Sequence, residues 1–342
     1  MLNLNPVELA KQAATRGGDY GPQVGFLKLE DGEPKVLRLL TAFTPSYIVS
    51  HNCGMQHVDI DKEAFDMAMQ YGESFPCPNC GQPLTQSDIE AERPIVEGAY
   101  MHRFVQTSDA NKKANFVCIG HPQNAQMDVI EKNDDGSPKY QCPVCASVDG
   151  KGNHPKPVIR LYGVAVEREA QIRVQNVNGI NTPTVVGVTD VMEVGEDGIE
   201  RPKLVIVDLP YQSFWSKLYD MSPDFSLSIS YFDWQVTKTG SGLDTKYTVN
   251  RMKDTPEATD FAPYKDIMPD IKGMLRAWGK PKYYTDRGWA VQGYVPESSA
   301  SEGTAAAASA FAGIVTAQQP VQPVQQLAAT TSWSQISNAI GQ

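Results

Sequence analysis

Six cysteines fall into two matching triplets, and this repeat limits the chain's folds more than any other feature. Cys53, Cys77 and Cys80 map onto Cys118, Cys142 and Cys145 by a shift of 65, so each lone cysteine precedes its Cys-Pro-x-Cys pair by 24 residues. Histidines follow the lone cysteines closely, in Cys53-Gly-Met-Gln-His57 and Cys118-Ile-Gly-His121. Three thiols and one imidazole suit a tetrahedral metal site with no open position. A Cys-Pro-x-Cys turn holds two thiolates on one knuckle, and its amides can hydrogen-bond the sulfurs.

The expectation is therefore two Zn2+ ions per chain. One would be held by Cys53, His57, Cys77 and Cys80, the other by Cys118, His121, Cys142 and Cys145. His51 competes with His57, because His51-Asn-Cys53 is also close in sequence. Two other arrangements stay open: one ion shared by both Cys-x-x-Cys pairs, or buried thiols without metal. Disulfides fit less well, since the N-terminus MLNLNPVELAKQ lacks the layout of an export signal. With no apolar run of about 18 residues, no membrane contact is expected, and a cytoplasmic location follows.

Gly (27) and Pro (24) are frequent among the 342 residues, which favours many turns and a mainly β fold. Residues 1–23 read as an N-terminal arm opened by an Asn5-Pro6 helix start. Strands over 24–50 and a long β block over 156–255 are expected to form one OB-fold core, interrupted by a metal-binding insertion with two ribbon-like sites over 51–155. A helix is predicted over 61–71, a second over 210–221, and a third over 263–278, within a C-terminal region spanning 256–296. Residues 297–342 carry only Glu297 and Glu302 as charges and read as a disordered, low-complexity tail. Its end, around Trp333 and Ile336, has helical spacing suited to a docking peptide. Several short strands with one intervening helix suit an OB-fold barrel among other small barrels.

No catalytic constellation emerges. A phosphate-cradling Gly-rich loop, a Gly-x-Ser-x-Gly elbow and a His-Glu-x-x-His motif are all missing from the sequence. His51, His102 and His154 have no carboxylate partner nearby in sequence, so no enzyme is expected. The net charge of −10 argues against binding nucleic acid by overall basicity, but leaves room for a local basic groove. In the β block, aromatics alternate with cations: Arg160, Tyr162, Arg168, Trp215, Lys217, Tyr231, Phe232, Trp234, Lys238, Lys246, Tyr247 and Arg251. Aromatic faces that stack on bases, beside cations that follow phosphates, bind single strands. Taken singly, each of these aromatics is more often core; as a cluster interleaved with cations they point to binding.

Several of these segments together resemble a known family. They are Val36-Leu37-Arg38-Leu39-Leu40, the insertion ending in Cys142-Pro143-Val144-Cys145, Arg160-x-Tyr162, Pro202-Lys203-Leu204, and the run from Asp233-Trp234 through Lys238-Thr239-Gly240-x-Gly242-Leu243-Asp244-Thr245-x-Tyr247. Over about residues 36–252 the chain resembles the zinc-containing, helix-destabilising single-stranded-DNA-binding proteins of tailed phages, T-even type. The resemblance implies an OB-fold, a structural zinc, and coating of single-stranded DNA during phage replication, recombination and repair in the host cytoplasm. It places Arg160, Tyr162, residues 231–234, Lys246 and Tyr247 on the DNA path. It further implies cooperative coating and work with replication and recombination enzymes. Apart from the resemblance, self-association along the strand is expected through the N-terminal arm, and recruitment of those enzymes through the peptide around Trp333 and Ile336 in place of an acidic tail. A zinc-ribbon scaffold that binds proteins and not DNA is the alternative. The chain departs from the family in having two ligand sets instead of one and a tail that is not acidic.

Overall fold

A computed structural model of the chain describes residues 24–50, 58–148, 154–177, 180–195, 197–221, 229–252 and 261–295. The N-terminal arm, Cys53, His57, His51 and the tail lie outside the described residues. Among the described residues, strand predominates and the sheets are mixed, none of them closed. No described helix is long and apolar enough to cross a membrane.

The chain begins with β1 (Gly25–Phe26), β2 (Pro34–Leu39), β3 (Ser46–Val49) and β4 (Val58–Asp61). Helix α1 (Lys62–Tyr71) follows, with Asp61 as its N-cap: the carboxylate accepts from the Ala64 amide at 2.7 Å. Gly72, in the left-handed region at φ 70°, ends it, and Phe65 and Ala68 form its buried side. Then come β5 (Phe75–Pro76), β6 (Pro83–Leu84), β7 (Ile89–Arg93), β8 (Glu97–Gln106) and β9 (Lys113–Val117). Two short helices, α2 (Pro122–Gln126) and α3 (Pro143–Ala146), each start on a proline. A long hairpin, β10 (Val158–Val177) with β11 (Ile180–Asp190), leads to β12 (Met192–Val194), β13 (Glu200–Pro202) and β14 (Leu204–Val207). A π-helical turn (Tyr211–Trp215) runs into α4 (Ser216–Met221), before β15 (Asp233–Thr239) and β16 (Lys246–Arg251). Three helices close the described chain: α5 (Ala262–Lys265), α6 (Ile271–Trp278) and α7 (Pro281–Thr285).

Two compact units result. One holds the described residues of 24–99 and 159–274, the other those of 100–158 and 275–295. The predicted 51–155 insertion is thus divided: its first half packs with the β block, and only its second half forms a separate body with the C-terminal helices.

In the first unit the main sheet runs in the order β1-β14-β10-β2-β15-β16. Only β1 and β14 pair in parallel; the other neighbours in this order are antiparallel. The sheet stays open, in place of the closed barrel that was one expectation. Strand β10 is central. Its run Leu161, Tyr162, Val164, Ala165 and Val166 is buried on both faces, as a continuous apolar stretch demands. Gly163 lies against the Trp215 ring, where an added Cβ would sit 2.6 Å from the indole. A second, three-stranded sheet, β4-β3-β7, packs with α1 around Phe65, Val49, Ile60 and Leu84.

The predicted 227–236 strand begins later. Ile229–Tyr231 is a 3-10 turn, because the Trp234 indole N–H donates to the Ile229 carbonyl at 2.9 Å and folds that turn inward. The predicted 263–278 helix is broken in two at Pro269, which cannot supply an amide to a continuous helix.

Charge is buried beside this core. The Asp233 carboxylate accepts from Arg38 Nε at 2.9 Å, Arg38 Nη2 at 2.7 Å and Arg168 Nη1 at 2.7 Å. Arg168 also pairs with Asp190, whose carboxylate accepts from the Tyr264 hydroxyl. Removing one partner strands the others without solvent. Asp233→Ala is expected to destabilise this unit by about 3–5 kcal/mol, read from urea unfolding. A loss below about 1 kcal/mol would show that the network is not a structural anchor.

Candidate metal centre and nucleic-acid face

Strands β8 and β9 pair with Met101 opposite Val117 and His102 opposite Phe116. This register carries His102 to the end of β9, where Cys118 follows directly, and the Cys118 amide donates to the Tyr100 carbonyl at 2.8 Å. The buried Asn124 side chain fastens the corner, accepting from the Tyr100 amide and donating to the Tyr100 and Cys118 carbonyls. Cys142 is the N-cap of α3, with Pro143 in the first turn and Cys145 one turn on. Gly120 lets this segment approach: a Cβ there would lie 2.9 Å from the Cys142 backbone nitrogen.

His102, Cys118, Cys142 and Cys145 converge as a result, with all four ligand atoms within 4.8 Å of one another. His102 Nε2 is 3.4 Å from Cys142 Sγ and 3.3 Å from Cys145 Sγ, and Cys118 Sγ is 3.5 Å from Cys145 Sγ. A tetrahedral ion with bonds of about 2.0–2.3 Å places its ligands roughly 3.3–3.8 Å apart, so the spacing fits. It is far too long for a disulfide, whose sulfurs sit about 2.05 Å apart. This group could hold one metal ion in a closed, ligand-saturated site.

His121 is not among the four converging groups. Its ring stacks on Tyr100 with centroids 3.8 Å apart, and its backbone caps α2. Burial, and then the nearby His102, hold it below the usual histidine range. The matched spacing pointed to His121, but the partner strand supplies the imidazole. The available signal for His102 was a polar ring inside the apolar strand Tyr100-Met101-His102.

The surroundings hold the thiols in place. The Tyr284 hydroxyl, fully buried, donates to the Val117 carbonyl at 2.5 Å and lies 3.7 Å from Cys142 Sγ. His154 Nδ1 donates to the Cys145 and Ser147 carbonyls at 3.2 and 2.9 Å. Hydrogen bonding to Cys118, and then to His102, pulls the Cys142 thiol down to about 3. Burial pushes Cys145 up to about 11, and Cys118 is raised by its hydrogen bond to Cys142 and by burial. Raised in this way, Cys118 and Cys145 must release protons to coordinate a cation.

The first triplet differs locally. Cys77-Pro78-Asn79-Cys80-Gly81 closes the β5–β6 hairpin: the Asn79 amide donates to Cys77 Sγ at 3.4 Å, and Gly81 takes φ 75°. That is a knuckle, whereas Cys142–Cys145 opens a helix. Cys77 is buried and Cys80 exposed. Among the described residues there is one metal-competent group of His and Cys ligands.

The predicted nucleic-acid residues separate into two sets. Tyr162, Trp215, Tyr231, Phe232 and Trp234 are all buried, so they form core and do not offer faces to bases. The Tyr231 hydroxyl accepts from the Asp59 amide at 2.7 Å, and burial pushes it well above the ordinary tyrosine range. Arg160 is buried against Asp208, and Arg168 is committed to Asp190 and Asp233. Alternation in the sequence signalled a strand face here, and that face turns to the core.

The remainder stay accessible. Lys246 is exposed, and Lys217, Lys238, Tyr247 and Arg251 are half-buried. Lys238 is the direct cross-strand partner of Tyr247, and Lys217 Nζ donates to the Tyr247 carbonyl at 2.8 Å. The Arg251 guanidinium covers the Phe232 ring at 5.0 Å. No family model, curated protein or solved structure matches the chain.

Two outcomes follow for the metal group. His102→Ala and Cys142→Ser are expected to lower bound metal by one ion per chain in elemental analysis, while His121→Ala leaves it unchanged. Because protons compete for Cys118 and Cys145, metal capture by a chromophoric chelator should be faster at pH 5.5 than at pH 7.5. Equal rates would contradict thiolate ligation.

Proposed function

We propose that this protein binds single-stranded DNA, largely without sequence preference, through an OB-like β unit, and carries structural zinc. The observation that carries the binding reading is the surroundings of Tyr247: Lys238 across the strand pair, Lys246 beside it, and Lys217 bonded to its carbonyl. A half-open aromatic ring with one cation on its own face of the strand pair, Lys238, and a second at its backbone, Lys217, is the minimal element that stacks a base and follows its phosphates, and Lys246 adds charge on the opposite face. It supplies locally the positive charge that a chain of net charge −10 lacks overall. The resemblance to the phage helix-destabilising proteins points the same way. In this reading zinc occupies His102, Cys118, Cys142 and Cys145, because three thiolates and an imidazole suit that ion. A second zinc is assigned to the Cys77–Cys80 knuckle with Cys53 and His57. The N-terminal arm serves self-association along the strand, and the segment around Trp333 engages replication or recombination proteins in the host cytoplasm.

A second reading is a zinc-dependent protein scaffold that never touches DNA. It is favoured by the burial of the five aromatics and the pairing of Arg160 and Arg168.

Titration of the full chain into labelled oligo(dT) separates the two. Binding should weaken as salt rises, with a log–log slope of about 0.7 per phosphate neutralised. Tyr247→Ala is expected to cost about 1–3 kcal/mol. Lys217→Ala, Lys238→Ala and Lys246→Ala together should flatten the salt dependence. Absence of binding at low salt would leave the scaffold reading.

A further inference from the structure

The metal-bearing unit holds an aromatic in an unfavourable place. Between His102 and Val105, strand β8 bulges, so that Arg103 and Phe104 together oppose Asn115 of β9. Phe104 takes φ 53°, a left-handed conformation that glycine adopts without steric cost and a bulky side chain does not. Its amide is tied to the Asn115 side-chain oxygen at 3.2 Å. The ring is 63% exposed, so burial does not compensate for the conformation. Backbone held this way at an exposed aromatic points to a role at the surface.

Its neighbours share one chemistry. The Arg103 guanidinium lies 4.7 Å from the Phe104 ring centroid. The Tyr283 hydroxyl donates to the Asn115 carbonyl at 3.2 Å, on the residue facing the bulge. The Arg287 guanidinium covers the Tyr283 ring at 3.5 Å, and its Nη1 donates to the Tyr283 carbonyl. The Trp289 indole N–H donates to the Gln106 carbonyl at 3.0 Å, two residues beyond Phe104. Asp109 and Asp286, the nearest acids along these segments, are paired with Lys112 and Lys282.

We propose that Phe104, with Tyr283, Trp289 and the guanidinium groups of Arg103 and Arg287, forms a second contact for an unpaired nucleic-acid strand. It rests on the function proposed above but uses none of the residues named there. One exposed ring and two half-buried ones, with guanidinium groups over Phe104 and Tyr283, can stack on any base and neutralise phosphate. Arginine, tyrosine and tryptophan also serve protein interfaces, an occupant that crosslinking to oligonucleotides separates from a nucleic-acid strand.

The test is oligo(dT) binding by the full, metal-loaded chain carrying Phe104→Gly or Arg287→Ala. Phe104→Gly removes the ring and relieves the backbone, so its melting temperature and metal content should equal or exceed those of the parent. Its affinity should fall roughly tenfold, the effect of removing one base–aromatic stack. Arg287→Ala should weaken binding and reduce the salt slope. Photocrosslinking with 5-iodouracil oligonucleotides should label peptides containing Phe104 or Tyr283. If Tyr247→Ala weakens binding and Phe104→Gly does not, and no such peptide is labelled, this second contact is overturned while the function stands. If the parent chain ignores oligo(dT), the function itself has failed.

Discussion

Three sulfurs and one imidazole nitrogen, drawn from three separate stretches of chain, meet within 4.8 Å in the second unit. So many buried thiols would be poor hydrogen-bonding company for one another, and a cation makes the cluster favourable. Around this point the unit is assembled: the β8–β9 pair ends at it, α3 begins at it, and Tyr284 of α7 lies against it. This body buries Met101, Phe116, Val117, Ile119, Val144 and Leu275 among its apolar residues. In a body that small, a metal can supply cohesion that a larger core would otherwise give.

The first unit solves its stability differently. Trp215, Trp234, Phe214 and Phe232 are closed from solvent, and arginines are paired with Asp59, Asp208 and Asp233 in nearly dry surroundings. Each charge in such a pair incurs a desolvation cost before it finds its partner, so the pair adds little net stability although losing one partner is costly. Their presence also removes most of the conspicuous cations from any binding role. What the surface keeps is a smaller set around Tyr247, with its lysines projecting from β15, β16 and α4.

Much of the organisation was legible from residue order alone. The helix over Lys62–Tyr71 and the strand beginning near Val158 follow from caps and apolar patterning. So does the grouping of Cys118 with Cys142 and Cys145, because the 24-residue spacing from lone cysteine to Cys-x-x-Cys pair occurs twice. The fourth ligand was not legible. His102 reaches the thiols across a strand pair, and the register of that pair depends on a bulge at Arg103 and Phe104 that spacing does not reveal. That the described residues of 58–99 pack with the β block, and not with the second cysteine group, was likewise hidden, since contacts between distant segments leave no periodic mark.

Residue order thus determined which side chains alternate and which cysteines could share an ion. The tertiary structure decided on which side of each sheet the core lies. Tyr162, Phe232 and Trp234 are as suited to stacking on a base as to packing in a core, and only the elements laid over them settle which they do. The physical reason is that the hydrophobic effect responds to area removed from water, and that area is set by whatever covers a face, not by the strand that bears it.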